Sequence, residues 1–329
     1  MKAVVRRQYG SPDVLKLEEV AVPTPADDEA LIKIRAASVN RSDWEALTGK
    51  PLYARIGGLF KPGQPIIGSD IAGEVVAVGK DHAQFKIGDE IFGEMAGYSA
   101  GFAEYACSRG KYMALKPAKL SFEEAAAIPQ AAVIALQGIR DAGQVKPGQQ
   151  VLINGAGGGT GMYAIQLAKS YGAEVTAVDN EHKLNFMRSI GADNVIDYKR
   201  QDFTKNKIQY DFILDVIAYR SVFAYARSLK PNGRYYAVGG SVGTFFQILF
   251  FATLIRKMSD KHLHLLMVRR NRKDLQEAAD MCASGKLITM IDKRYPLSET
   301  PAALRYLGDG YAKGKIVIQV QKDNAANIV

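Results

Sequence analysis

A glycine-rich loop between a predicted strand and a predicted helix constrains the fold of this chain more than any other feature. It follows the apolar run 151–154, opens a helical stretch at 161–171, and reads Gly155-Ala156-Gly157-Gly158-Gly159-Thr160-Gly161. Glycines permit a tight turn and let backbone N–H groups approach a phosphate without a Cβ clash. The positive end of the helix dipole favours an anion there. The motif predicts a dinucleotide pyrophosphate site rather than an empty turn, because so many glycines would cost conformational entropy for no gain.

The segment from Gln149 to Gly285 alternates predicted strands with predicted helices. Helical stretches follow the strands and end at glycines or at the Pro231-Asn232-Gly233 turn, and the predicted strands are 151–154, 174–179, 195–197, 211–216, 234–238 and 262–268. Strand and helix alternating at this spacing indicate right-handed βαβ units and a parallel sheet.

The residues on either side of this segment have the character of a β-rich domain. Residues 30–36 alternate apolar and polar side chains, and proline and glycine punctuate the first 120 positions. Short strands between such breakers predict a small barrel, to which strands at 287–291 and 315–320 would return. The α/β segment is therefore expected to be an insertion, with one domain formed by 1–122 and 285–329 and the other by 123–284.

An acid ends the second strand of the α/β segment. Asp179 lies about twenty residues after the glycine loop, where a carboxylate accepts hydrogen bonds from the adenosine ribose hydroxyls and repels a 2′-phosphate. This favours NADH over NADPH, although Lys183 could pair with such a phosphate. A helix N-cap is the alternative role for Asp179, and both roles can coexist.

Composition excludes several classes of protein. Only two cysteines occur among 329 residues, Cys107 and Cys282, so neither a disulfide framework nor a cysteine-rich zinc lobe is available. The first nine residues lack the apolar core of a signal peptide, and the longest apolar run, 245–255, is too short to span a bilayer. The predicted location is the cytosol.

Most of the net charge of +9 lies between Arg256 and Lys273, which holds seven Lys or Arg residues and one acid, Asp260. A solvated face is preferred here over a patch for anionic lipid, nucleic acid or an acidic partner. Nucleic acid is disfavoured because no aromatic side chains are interleaved. The apolar run 244–255 just before it permits three interpretations, in decreasing order: packing or a dimer contact, a wall for a hydrophobic substrate, and a peripheral membrane contact.

Taken in order along the chain, these motifs resemble the medium-chain dehydrogenase/reductase superfamily, and within it the zinc-free quinone oxidoreductase group. The resemblance rests on the glycine loop together with residues 68–79, 88–93, 101–105 and 314–318. It implies an α/β fold in which a Rossmann doubly wound parallel sheet is inserted in a GroES-like β-rich domain. It also implies a homodimer, formed through strand 262–268.

Two positions differ from the zinc alcohol dehydrogenases of that superfamily. The cysteine ligand is replaced by Asn40 and the histidine ligand by Ser69, and both are poor zinc ligands. The resemblance therefore implies no metal and NAD(P)H-dependent hydride transfer to a small, hydrophobic, electrophilic acceptor, a quinone or an α,β-unsaturated carbonyl. The alternatives are a 2-enoyl thioester reductase and a non-catalytic nucleotide-sensing protein.

Site residues are carried over by position. In the active site, Asn40 is expected to line the cleft, or to serve as a turn or cap residue. Tyr53 is expected to be the proton donor, although it lies two positions later than in the family pattern. Trp44 is expected to stack on a flat substrate, or to pack in the core. Gly239, Gly240 and Ser241, which follow the fifth strand, are expected to pack on the nicotinamide. The expected cofactor-binding residues are Gly155, Gly157, Gly158, Gly159, Thr160, Gly161, Asp179, Lys183, Gly239, Gly240 and Ser241.

Overall fold

The computed structural model describes residues 1–56 and 58–320, which form two compact units. One unit comprises Met1–Gln130 together with the chain from Arg270 onward, and the other is Ala131–Arg269. An α/β unit is thus inserted in a β-rich one, as the sequence predicts. The boundaries differ from those expected, because the helices at 122–126 and 272–283 contact strands of the first unit.

Helices accompany the sheets of both units. In chain order they are α1 (Arg41–Thr48), α2 (Phe122–Ala126), α3 (Pro129–Leu136, continued by a π-helical segment, Gln137–Gly143), α4 (Gly159–Ser170), α5 (Leu184–Ser189), α6 (Val222–Arg227), α7 (Val242–Ser259), α8 (Arg272–Ala283) and α9 (Thr300–Gly308). Within the part of the chain that the structure describes, no helix combines the length and apolarity needed to cross a bilayer.

The first unit contains a two-stranded sheet and a seven-stranded sheet. The two-stranded sheet pairs β1 (Lys2–Val5) with β2 (Lys16–Glu19), and the strands of the other are β3 (Ala30–Val39), β4 (Asp70–Val78), β5 (Glu90–Glu94), β6 (Tyr105–Ser108), β7 (Met113–Leu115), β14 (Ile291–Pro296) and β15 (Lys315–Gln319). Burial alternates along the first part of β3, as its pattern of apolar residues predicts. The strand expected at 287–291 begins only at Ile291, where pairing with β15 starts.

The second unit is built on a six-stranded parallel sheet. Its strands are β8 (Gln150–Asn154), β9 (Glu174–Asp179), β10 (Asn194–Asp197), β11 (Tyr210–Asp215), β12 (Leu229–Ala237) and β13 (His262–Leu265). Their spatial order is β10-β9-β8-β11-β12-β13, so the chain reverses direction across the sheet between β8 and β11. This is the Rossmann arrangement, in which ligands bind where the strand order reverses, outside the carboxyl ends of the strands. The glycine loop lies there because it follows β8.

Candidate active site and dinucleotide site

The glycine loop turns from β8 into α4 within a few residues. Gly155 has a φ of +78°, a backbone conformation that L side chains rarely adopt. A Cβ on Gly161 would lie 2.4 Å from the Cα of Ala156, so this glycine lets the helix pass close to the turn. These two glycines are therefore needed to form the loop itself.

Gly158 serves a different purpose. A Cβ on this residue would meet a single atom within 4 Å, the carbonyl oxygen of Gly155 at 3.7 Å, so the space above it is open. Gly158 is the N-cap of α4, and it is partly exposed together with Gly159 and Thr160. The N–H groups of a first helical turn have no acceptor within the helix. This open cradle of amide donors fits a pyrophosphate.

A second glycine segment lies at the same edge of the sheet. Gly240 has a φ of +146°, and a Cβ there would lie 2.1 Å from the carbonyl oxygen of Ala218. The backbone N–H of Ser241 donates to that oxygen at 2.8 Å, while its Oγ accepts from the N–H of Thr244 at 3.0 Å and so caps α7. The segment 239–241 thus lies against the loop after β11, and Gly239 borders the carbonyl of Val216.

A buried carboxylate that the sequence did not single out fixes this edge. Asp215 ends β11, and its Oδ1 accepts from Nδ2 of Asn154 at 2.7 Å and from the N–H of Ile217 at 3.0 Å. Its Oδ2 accepts from the hydroxyl of Tyr235 at 2.8 Å. Burial raises the pKa of Asp215. These bonds join the ends of β8, β11 and β12. The sequence did hold a signal for this carboxylate, because Asn154 and Asp215 are polar residues at the ends of two otherwise apolar strands.

Asp179 and Lys183 form a buried ion pair beside the loop. Lys183 Nζ lies 3.3 Å from Oδ1 of Asp179, and both side chains are almost fully shielded from solvent. The carboxylate also accepts from the N–H groups of Gly157 at 2.9 Å and Asn180 at 2.8 Å. The charge of Asp179 is therefore balanced within the protein, which weakens its repulsion of a 2′-phosphate. From sequence, Lys183 was expected to pair with that phosphate rather than with Asp179.

Asn40 belongs to a buried polar network in the first unit. Its Oδ1 accepts from Lys315 Nζ at 2.6 Å, and its Nδ2 donates to Ser69 Oγ at 2.9 Å and to Asp70 Oδ2 at 2.8 Å. Both ends of the amide are thus satisfied by protein groups. Asn40 is also the N-cap residue of α1, the role given above as its alternative. These bonds fix the start of α1 next to β4 and β15, and the expected contact of Asn40 with substrate or nicotinamide stays a prediction.

Three carboxyl groups share this network. Asp43 Oδ2 accepts from the N–H of Asn40 at 2.7 Å, and Asp70 Oδ2 lies 3.8 Å from Lys315 Nζ. Glu94, at the end of β5, faces Arg270 at 3.4 Å. Burial raises the pKa of Asp43 to about 7 and that of Glu94 to about 8, with the neighbouring Asp70 charge adding to both shifts. Burial likewise lowers the pKa of Lys315.

Sequence reasoning missed Lys315. It occurs in the Gly314-Lys315-Ile316 motif, which was interpreted as the start of a strand and as part of the family resemblance, with no role for the lysine side chain. In the structure its side chain is 1% exposed and extends from β15 to the start of α1. A lysine beginning an otherwise apolar strand was a signal, since fully buried lysines are rare unless they are paired.

The two aromatic candidates differ in their surroundings. Trp44 packs against the core of the first unit, and a Cβ on Gly308 of α9 would lie 2.2 Å from its ring, so the indole is used for helix packing. Tyr53 lies half-exposed in a 3₁₀ turn, with its hydroxyl 3.4 Å from Oε2 of Glu45. Burial raises the pKa of Glu45. The structure favours the packing role for Trp44, and the Tyr53 side chain is partly exposed while its hydroxyl donates to Glu45.

The chain matches known proteins over nearly its whole length. A family model for the alcohol dehydrogenase GroES-like domain matches residues 26–174, and one for zinc-binding dehydrogenases matches residues 190–318. The quinone-oxidoreductase homolog of Spinacia oleracea chloroplasts is 32% identical over 97% of this chain and 98% of its own length. The chain belongs to the medium-chain dehydrogenase/reductase superfamily, in its quinone-oxidoreductase-like group.

Two further proteins are similar to this medium-chain reductase over nearly its whole length. The NADPH-dependent alkenal/one oxidoreductase of Arabidopsis thaliana chloroplasts is 31% identical over 97% of this chain and 79% of that protein. The structure of the quinone oxidoreductase from Coxiella burnetii superposes with a TM-score of 0.87, at 30% identity, over 98% of this chain and 99% of that one.

The positions that hold zinc in other members of the superfamily have a donor set unsuited to a cation in this reductase. Asn40 and Ser69 occupy them, and the Lys315 ammonium already lies against the Asn40 oxygen. A metal ion there would be repelled by that ammonium. Among residues 1–56 and 58–320, no group of three His, Cys, Asp or Glu side chains is arranged to hold a metal.

Proposed function

We propose that this protein is an NAD(P)H-dependent reductase that transfers hydride to a quinone or an α,β-unsaturated carbonyl compound. The observation that carries the proposal is the open cradle of amide donors at Gly158, at the carboxyl edge of a sheet of Rossmann order. The printed names of relatives that match nearly the whole chain support it: a quinone-oxidoreductase homolog and an alkenal/one oxidoreductase.

The residues of the second unit bind and orient the dinucleotide. The N–H groups of Gly159 and Thr160 donate to the pyrophosphate, because these residues are partly exposed at the positive end of α4. The backbone of Gly239 and Gly240 packs on the nicotinamide end. When bound, the reduced nicotinamide supplies the hydride. Asp215 holds the strand ends in register beneath these segments.

The first unit supplies no Lewis acid in this proposal. Without one, the acceptor has to be electron-poor already, which quinones and α,β-unsaturated carbonyls are. We propose that the Tyr53 hydroxyl donates the proton that completes reduction and that Glu45, at 3.4 Å, restores it. Asn40 and Lys315 act through α1, whose N-terminus they fix.

The adenosine end sets the choice between NADH and NADPH. We propose a small preference for NADH, since Asp179 places a carboxylate at the ribose position and Lys183 balances its charge. The pair makes both cofactors acceptable, because a 2′-phosphate meets a lysine as well as an acid.

The edge of the parallel sheet supports the expected homodimer. β13 pairs with β12 on one side and is the last strand in the order of the sheet. A second copy could add its own β13 there. Light scattering of the purified protein tests this.

The cytosolic location stays a prediction.

The decisive test is oxidation of NADH and NADPH, followed at 340 nm, with a benzoquinone, a naphthoquinone, an enal and a crotonyl thioester as acceptors. Turnover with a quinone or the enal supports the proposal. Turnover with the thioester alone would replace it by enoyl thioester reduction. Tight dinucleotide binding without any turnover would replace it by a nucleotide-sensing role.

A further inference from the structure

Helix α7 (Val242–Ser259) exposes large apolar side chains along its outer face. Leu249 is 66% exposed, Phe250 74% and Met258 78%. Phe246 and Leu254 are exposed on the same face, and the ring centroids of Phe246 and Phe250 lie 6.3 Å apart. An apolar surface of this length on one helix is unusual for a protein that meets only water.

The inner face of α7 is already used for packing. Thr244, Ile248 and Ile255 are buried, and the two isoleucines belong to the apolar core of the second unit. Gln247 accepts from the N–H of Val222 at 3.2 Å, which holds α7 beside α6. Surface helices normally present polar side chains on the face opposite the core. The outer face of α7 is apolar instead, so it is built to meet a partner.

The charged side chains within α7 have one sign. Arg256 and Lys257 are exposed in its last turn, and beyond the helix the exposed Asp260 is followed by Lys261. The helix sequence, 242–259, contains no Asp or Glu. Among the described residues, neither Arg256 nor Lys257 forms an ion pair within 4 Å. The outer face is therefore an apolar strip with a cationic end.

We infer that the outer face of α7 docks on the surface of a bilayer that contains anionic lipid. In this arrangement Phe246, Leu249 and Phe250 enter the boundary between headgroups and acyl chains, and Arg256 and Lys257 contact the anionic headgroups. Apolar burial and cationic contact together are what interfacial helices use to bind lipid.

A second copy of this chain fits the same surface less well. In a symmetric dimer the identical patch lies on both sides of the interface. If the outer faces of two α7 helices packed together, their basic side chains would lie in the interface, and α7 contains no acid to pair with them. Like charges across an interface oppose binding. An anionic surface satisfies both the apolar and the cationic parts. The inference does not depend on the reaction proposed above.

The test is co-flotation of the full chain with vesicles, one set of phosphatidylcholine alone and one of equimolar phosphatidylserine and phosphatidylcholine. We expect binding to the anionic vesicles that weakens with added salt. The double variant Leu249→Ser/Phe250→Ser should weaken this binding by roughly tenfold or more, since it removes two inserted side chains. The variant Arg256→Gln/Lys257→Gln should weaken it as well.

Matched controls come from another exposed stretch of the same unit. Ile208→Ser removes an exposed apolar side chain, and Lys205→Gln/Lys207→Gln removes two exposed charges, so neither should change vesicle binding. Circular dichroism checks that each variant is folded.

Four outcomes overturn the inference. The first is no binding of the unaltered chain to anionic vesicles. The second is equal binding of the α7 variants and the controls. The third is a dimer that dissociates in the Leu249→Ser/Phe250→Ser variant without any vesicle binding, which would assign the face to a second copy. A raised KM for a water-soluble quinone, in a variant that still binds vesicles normally, would likewise assign the face to the substrate.

Discussion

The ammonium nitrogen of Lys315 lies 2.6 Å from Oδ1 of Asn40, although the two residues are 275 positions apart in the chain. Lys315 begins β15, and Asn40 lies between β3 and α1, so the bond joins the C-terminal part of the first unit to its N-terminal part. The same amide binds Ser69 and Asp70 at the start of β4. A protein cation thus lies beside positions that hold a metal ion in zinc-dependent members of the superfamily.

Removing this cation should destabilise the protein strongly. In Lys315→Met the buried Asp70 and Asp43 lose their nearest positive charge, and breaking a buried pair in this way costs about 3 to 5 kcal/mol. Urea unfolding measures the loss. Lys286→Met, at an exposed position in the same unit, should change stability by less than about 0.5 kcal/mol. Equal stability of the two variants would show that Lys315 does not balance the carboxylates.

Stability should fall as pH rises from about 4 to about 8, because burial raises the pKa of Asp43 to about 7 and that of Glu94 to about 8. Between its unfolded-state and folded-state pKa, each carboxyl group keeps a proton in the folded state that it has released in the unfolded state. The stability contributed by that proton is complete below the unfolded-state pKa and is lost as the pH rises through the folded-state pKa. The slope approaches about 1.4 kcal/mol per pH unit for each proton. Glu94→Gln should flatten the fall between about pH 6 and 8, whereas Glu19→Gln should not. Parallel curves for both variants would contradict this.

A side chain at position 158 should block the dinucleotide without harming the fold. Gly158 has φ −91° and ψ −176°, which any residue adopts, and a Cβ would point into open space. Gly158→Val should therefore unfold like the unaltered chain and bind NADH at least roughly tenfold more weakly, a loss of about 1.4 kcal/mol. Fluorescence titration measures binding. Gly161→Val is the contrasting variant, since it should impair folding. Unchanged affinity in Gly158→Val would refute the assignment of the loop.

Separating the buried pair should change the choice of cofactor. Lys183→Met leaves the Asp179 charge unbalanced, so the ratio of kcat/KM for NADPH to that for NADH should fall, by roughly tenfold for a change of about 1.4 kcal/mol. Asp179→Asn should raise the ratio. Lys169→Met breaks the more exposed pair with Asp193 and serves as the control. A ratio that stays constant in all three variants would limit Asp179 and Lys183 to a structural role.

Loss of the Tyr53 hydroxyl should slow catalysis rather than binding. Tyr53→Phe keeps the ring and removes the group 3.4 Å from Glu45, so kcat with an enal should fall by about a hundredfold while KM stays similar. Tyr198→Phe, an exposed tyrosine in the other unit, is the control. A normal kcat in Tyr53→Phe would mean that another group or water donates the proton.

Local pattern was sufficient to predict the fold class. The alternation in β3, the βαβ repeats and the glycine loop are all determined by near neighbours in the chain, because backbone conformation and the period of burial are short-range properties. The motifs in chain order also identified the superfamily. The domain boundaries were less accurate, since α2 and α8 belong to the first unit through packing that no local pattern encodes.

The state of each functional side chain required the tertiary structure. From sequence, Asn40 was expected to line the active-site cleft or to serve as a turn or cap residue, and Asp179 was expected to repel a 2′-phosphate with which Lys183 could pair. Folding brings Lys315 to the first and positions Lys183 and Gly157 around the second. The sequence by itself determined which backbone conformations and which residue types are present. Only the tertiary structure decided which polar groups are already satisfied within the protein, because burial and hydrogen bonding depend on contacts between residues distant in the chain.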